Sequence, residues 1–179
     1  RFGSDAWLTV AAAIGVLAFG VLFGMLLAVG TSLLLAVRRF ARPLVSELGE
    51  LPGTRDFVDC VRHPEALRMP GVLIVRPEEP LFFANAERIF EGVRRHANQS
   101  RPHTVVLSLE VCDDLDDTST EALIELNAAL LKQHITLRLA RVKDRVRDSL
   151  SRAGLASPLD GLMPVYWSVD DAVQAAGKG

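Results

Sequence analysis

The sequence predicts two parts in series: an α-helical transmembrane segment, then an α/β domain built on a mixed, mostly parallel sheet of about five strands. Three observations carry this. Residues 6–37 form a run of 32 residues without a charge, where a bilayer-spanning helix needs only about 20 apolar residues. From residue 71 onward, short β-branched runs alternate with longer segments whose apolar residues recur at helical spacing. That alternation, in the order ββαβαβαβα, implies strands joined by crossover helices.

As a single helix the uncharged run would extend roughly 48 Å, against about 30 Å of hydrocarbon. A break or strong bend is therefore expected, placed at Gly20-Val21-Leu22-Phe23-Gly24, a GxxxG that also lets another helix approach closely. A signal peptide is excluded, because the run is too long and ends in Arg38, Arg39 and Arg42. Those arginines place that end, and everything after it, on the cytoplasmic side. Thr9, Thr31 and Ser32 are the only hydroxyls in the run, and no carboxylate or base is present for an ion relay. The chain starts at Arg1 and reaches membrane-type sequence almost at once, so it reads as the C-terminal piece of a longer protein.

Residues 1–42 carry four arginines against Asp5, a net charge of +3, which leaves residues 43–179 at −5. An acidic globular part has no electrostatic footprint for nucleic acid. A hydrophobic content of 49% at a net charge of −2 excludes disorder. Cys60 and Cys112 have no CxxC spacing and are too few for a disulfide framework, so both are expected as buried thiols.

Residues 43–70 are punctuated by Pro43, Gly49, Pro52, Gly53, Pro64 and Pro70 and are expected to be a connector. The domain proper, 71–179, then opens with strands at 71–75 and 81–83. A helix capped by Asn85 runs to about His96 with Ile89, Phe90 and Val93 inward. The stretch 104–109 is a buried strand, and a helix over 118–132 turns Ala122, Leu123, Leu126, Ala129 and Leu130 to one face. A strand at 135–140 and a helix from Asp144 to the terminating Gly154 follow. Residues 165–167 form a last strand, and Ser168 with Asp171 makes a capping box for a helix to Ala176. Residues 66–179 are accordingly expected to fold alone.

The chemically suggestive stretch is Asp113, Asp114, Asp116, Asp117, Thr118 and Ser119, between a strand and a helix. Acidic and hydroxyl side chains there cap the helix and complement its positive end. The form Asp114-x-Asp116-x-Thr118 also matches the opening motif of haloacid-dehalogenase-type phosphatases. There the two aspartates would be nucleophile and acid/base around Mg²⁺, with Lys143 and Asp170-Asp171 as later members. Only 65 residues follow Asp114, however, and a membrane run precedes it. His63, His96, His103 and His134 show no metal-ligand spacing. Lys143, Arg145 and Arg147 beside Asp144 and Asp148 read as an exposed, charge-paired helix face, or alternatively Arg141, Lys143, Arg145 and Arg147 form a surface for anionic lipid or a partner. No catalytic residue, metal or cofactor is assigned.

Four segments resemble a known family: Pro80-Leu81-Phe82-Phe83-Ala84-Asn85-Ala86-Glu87, Asp116-Asp117-Thr118-Ser119-Thr120-Glu121-Ala122-Leu123, Leu137-Arg138-Leu139-Ala140-Arg141-Val142-Lys143-Asp144 and Ser151-Arg152-Ala153-Gly154-Leu155. In this order, behind an apolar segment, they resemble a STAS domain. The whole chain resembles the C-terminal end of a SulP-type (sulfate permease family) inorganic anion transporter. The resemblance implies a non-enzymatic fragment of a secondary-active, sulfate-type transporter. The full protein would be multi-pass in the cell inner membrane, a likeness to homodimers included, with the anion site upstream and absent here. The STAS domain would then be cytoplasmic and would act through the upstream transport unit or a cytoplasmic protein partner. Soluble STAS proteins that antagonise anti-sigma factors are phosphorylated on the hydroxyl after an aspartate in a D-S-S/T-G turn. Aligned on Asp116 and Leu123, Asp117 takes that position and Ser119 replaces the glycine. Asp116, Asp117, Thr118 and Ser119 are therefore implied as a regulatory or interaction turn with a fixed negative charge, Thr118 or Ser119 being displaced phosphoacceptors. The alternative implied is a membrane-tethered STAS module of anti-sigma-antagonist type. The turn Lys132-Gln133-His134 stands where such domains often have a glycine.

Overall fold

The computed structural model describes residues 3–40, 44–155 and 163–177, and in the first stretch the side chains of residues 7, 9–11, 13, 14 and 23–35. Two compact units divide the chain at Arg42 and Pro43.

The first unit is one helix, α1 (Gly3–Phe40), 38 residues long. The break expected at Gly20–Gly24 does not occur. Glycine weakens a helix by about 1 kcal/mol relative to alanine but keeps its N–H, and without a proline the i→i−4 ladder runs on. Its described large side chains, among them Trp7, Ile14, Phe23, Leu26, Val29 and Leu34, are exposed. Among the described residues no helix is long and apolar enough to cross a membrane, so the membrane expectation rests on the sequence of residues 6–37. The side chains of Arg38, Arg39 and Arg42 lie outside the described residues.

The second unit is built on a six-stranded sheet, not five. Its strands are β1 (Val45–Glu50), β2 (Phe57–Asp59), β3 (Val72–Pro77), β4 (Thr104–Ser108), β5 (Thr136–Ala140) and β6 (Val165–Tyr166). They lie in the order β2-β1-β3-β4-β5-β6. β1 is antiparallel to both neighbours, whereas β3, β4, β5 and β6 are mutually parallel. The helices α2 (Ala86–Ser100), α3 (Asp117–Leu131), α4 (Asp144–Arg152) and α5 (Val169–Ala176) follow β3, β4, β5 and β6 in turn. Leu73, Val75, Val105, Leu107, Leu137 and Leu139 form a core with the inner faces of α2, α3 and α4. The opposite sheet face, Leu48, Ile74, Val106 and Ala140, is covered by Val169, Ala172 and Val173 of α5.

The stretch 43–70 is therefore not a connector. It supplies β1 and β2, with Val45 in one core and Leu48 in the other. Pro and Gly hide this because they stand between the strands: residues 51–56 form the hairpin turn, with Leu51 N–H donating to the Asp56 carbonyl at 2.9 Å. Gly49 within β1 has a packing reason, since a Cβ there would lie 2.9 Å from Cys60 Sγ and 3.0 Å from the Leu67 carbonyl oxygen. Gly71 opens β3 at φ +73°, and a Cβ would meet the His103 ring at 2.5 Å.

Residues 81–83, expected as a strand, do not form one; the chain turns over residues 82–85 instead, with Asn85 N–H donating to the Phe82 carbonyl at 3.0 Å. Asn85, expected to cap α2, holds that turn. Its Oδ1 accepts from Phe82 N–H at 3.0 Å, and its Nδ2 donates to the Pro80 carbonyl at 2.9 Å. The later elements follow the periodic reading closely, including Ser168, whose hydroxyl accepts from Asp171 N–H at 3.0 Å. Cys60 and Cys112 are both free and buried.

His134 sits at φ +60° between α3 and β5, a left-handed conformation that costs an L side chain roughly 1–2 kcal/mol. His134→Gly is expected to raise stability by about 0.5–1 kcal/mol after the added chain entropy of glycine. A denaturant midpoint that stays put or falls would contradict this.

Candidate functional site

The parallel strands end on one edge of the sheet, where the β4–α3 segment carries the acidic run. Asp116 is the N-cap of α3 with extended backbone, φ −75° and ψ 168°. Its Oδ1 accepts from Ser119 N–H at 2.7 Å, and its Oδ2 accepts from Phe83 N–H at 2.7 Å. One carboxylate thus caps a helix and ties the 81–85 turn to it. Partial burial pushes this carboxyl up, but the N–H donors of Ser119 and Phe83 outweigh that and hold it below the ordinary aspartate range.

Asp117 is the first helical residue, and it and Thr118 are exposed. Ser119 differs: it is 0% exposed. A kinase could reach Thr118 at this turn but not Ser119. The four expected residues are brought together, but they divide into a structural pair, Asp116 and Ser119, and a surface pair, Asp117 and Thr118.

The structure does not draw the residues of the phosphatase reading into one cluster. Both oxygens of Asp116 accept backbone N–H groups. Asp114 accepts from Leu115 N–H at 2.8 Å and from the Ser149 hydroxyl at 3.3 Å. Lys143 pairs with Asp113 at 2.6 Å, not with Asp114, and the hydrogen bond and charge of Lys143 lower the Asp113 carboxyl. Asp170 faces Arg55 at 3.7 Å and Gln174 at 2.9 Å. Among the described residues no three His, Cys, Asp or Glu side chains are grouped to hold a metal.

The basic stretch is not simply paired along its own helix. Besides Lys143 with Asp113, Arg141 reaches Glu110 at 3.5 Å, and Glu110 also binds Arg76 at 3.0 Å. The Arg147 guanidinium lies 4.2 Å from the centroid of the Trp167 ring. The sequence reading missed Phe82 and Phe83 as surface groups. The signal available was Pro80 followed five residues later by Asn85, a turn pattern rather than a strand.

The family model described as STAS domain matches residues 63–172. The chain belongs to the STAS domain family. It is 36% identical over 174 residues to the probable sulfate transporter of Mycobacterium tuberculosis strain H37Rv, covering 96% of this chain and 31% of that protein. The solved SulP transporter STAS domain from Vibrio cholerae is 25% identical with a TM-score of 0.51, over 66% of this chain and 90% of that one. Murine Solute Carrier 26 family member A9, an anion transporter solved in the inward-facing state, matches in fold with a TM-score of 0.69 at 24% identity. That match covers 98% of this chain and 29% of the murine one. The chain thus spans about a third of the length of the curated relative above. The STAS match begins at residue 63, beyond β1 and β2, so the two strands that complete this sheet lie outside the matched segment.

Proposed function

We propose that this chain is the C-terminal part of a SulP-type, secondary-active inorganic anion transporter of sulfate type, working as a homodimer in the cell inner membrane. Its STAS domain faces the cytoplasm and regulates transport through the turn at Asp116, Asp117, Thr118 and Ser119. The observation that carries the reading is α1 followed directly by a STAS domain whose 36% identity to a sulfate transporter extends over 96% of the chain, α1 included. At 100° per residue, Phe23, Met25, Leu26, Leu27, Val29 and Leu35 point around the whole circumference of α1, and all are exposed. A helix apolar on every side belongs in a membrane or a core. Arg38, Arg39 and Arg42 would set its orientation.

The test is uptake of labelled sulfate into vesicles carrying the full-length protein, which is expected to be saturable, while the 179-residue chain alone takes up no more than empty vesicles. Asp117→Ser in the full-length protein is expected to change the uptake rate with the thermal midpoint of the domain nearly unmoved. Among the described residues the Asp117 side chain has no hydrogen bond, the cap being made by Asp116, and serine is tolerated in a first turn. Unchanged uptake at unchanged expression would return Asp117 to a purely structural role.

A further inference from the structure

The two faces of the sheet are covered very unequally. On one, α2, α3 and α4 close the main core, α2 and α3 with 15 residues each. On the other, Leu48, Ile74, Val106 and Ala140 lie under α5, a helix of 8 residues. Its buried Val169, Ala172, Val173 and Ala176 fall at i, i+3, i+4 and i+7, a single stripe in which half the side chains are methyl groups. An isolated helix this short is marginal in water. α5 is therefore helical only while that stripe is docked.

Besides the stripe, the described ties are light. β6 contributes two register pairs, Leu139↔Val165 and Ala140↔Tyr166. Arg138 lies over the Tyr166 ring, 5.6 Å from its centroid, and donates to its hydroxyl. Arg147 stacks on Trp167, which is 70% exposed. Arg55, in the turn between β1 and β2, reaches Asp170 at 3.7 Å with its own side chain 85% exposed. Exposed stacks and ion pairs of this kind add little. Just before β6, by contrast, Met163 is buried in the main core, and its N–H donates to the Leu155 carbonyl at 3.1 Å. The chain is fixed at Met163 and lightly held beyond it.

We propose that residues 166–176 form a strap that swings off the sheet about Pro164 and Val165 while the main core stays folded. Sub-global openings of this sort draw on the units with the least buried apolar surface. Opening bares Leu48, Ile74, Val106 and Ala140, an apolar strip that the closed domain does not present. Leu48 of β1 belongs to the same small core, and β1 follows α1 in the chain after residues 41–44. A displacement of β1 thus alters the seat of the strap directly. Trp167 and Asp170 are its outer catches, held by Arg147 and Arg55. The inference goes beyond the transporter reading and needs only the fold described above.

The experiment uses the 179-residue chain in detergent micelles. Val105→Cys and Val106→Cys are made separately, because these neighbours in β4 are both 0% exposed and face the main and the small core respectively. Alkylation by iodoacetamide is followed peptide by peptide by mass, with the buried Cys112 of the main core as internal reference. Val106→Cys is expected to label about tenfold faster than Val105→Cys or Cys112. Adding Arg147→Ala or Asp170→Asn is expected to raise that rate about threefold and leave the other two unchanged. Hydrogen exchange on the unsubstituted chain reads the same opening with the packing intact. The amides of residues 172–176 are expected to share one protection level, about 100-fold below that of residues 104–108. Equal labelling at positions 105 and 106, or a rise at both on substitution, would make the domain one cooperative unit and overturn the strap. Protection that declines steadily toward the C-terminus would overturn it as well, by reducing the motion to end fraying.

Discussion

A chain cut to residues 66–179 is expected to be insoluble or molten, whereas residues 43–179 are expected to be soluble and to unfold cooperatively. β1 pairs with β3 from Val45↔Pro77 to Leu48↔Ile74, so the cut removes the neighbour of a central strand. It takes Val45 from one core and Leu48 with Phe57 from the other. Each fully buried side chain of this kind is worth about 1.5–3 kcal/mol, and domain stability is only about 5–15 kcal/mol in all. The cut also leaves β3 as an edge carrying Leu73, Ile74 and Val75, each at most 3% exposed in the intact sheet. An apolar unpaired edge is a template for aggregation. Soluble yield and a circular-dichroism melt of the two chains decide the matter. A 66–179 chain that melts sharply at the midpoint of 43–179 would show that β1 and β2 are accessory.

What the sequence reveals depends on how each element is stabilised. β4 and β5 are apolar runs and α2 through α5 carry amphipathic periodicity, so their hydrophobic pattern is written in adjacent residues. β1 is Val45-Ser46-Glu47-Leu48-Gly49-Glu50, with only two large apolar residues. They face opposite cores, and its glycine is explained by a loop more than ten residues away. No local rule finds such a strand, because its stability comes from pairing on both edges. The turn at 81–85 is the converse case: Leu81-Phe82-Phe83 looks like a strand by propensity, and the buried amide of Asn85 overrides it. At the site, the capping pattern of Asp116 is legible, but its second bond to Phe83, 33 positions away, is a tertiary fact. The exposure of Phe83 and the burial of Ser119 follow from the same geometry. They separate residues that one-dimensional alignment treats as a single motif.

Asp116→Ala is expected to cost about 2 kcal/mol, combining the loss of an N-cap, typically about 1 kcal/mol, with the loss of a charge-assisted bond to Phe83 N–H. Asp116→Asn should lie between, since its single carbonyl oxygen can still cap α3 while its amide nitrogen cannot accept from Phe83. The pH dependence separates this role from a merely local one. Because the folded carboxyl lies below its ordinary value, the unfolded chain binds the proton more tightly. The stabilisation is present above about pH 4, the ordinary aspartate value, and is lost as pH falls through the folded value. The wild-type domain should therefore lose more stability than Asp116→Asn between pH 5 and the acid limit of folding, measured as urea midpoints at stepped pH. Parallel curves for the two proteins would mean that the Asp116 charge contributes nothing to the fold. A wild-type curve that steepens alone would place the tie between the aromatic turn and α3 on this one carboxylate. Asp116→Ala would then loosen the turn that presents Phe82 and Phe83, while Asp117→Ser would leave it in place.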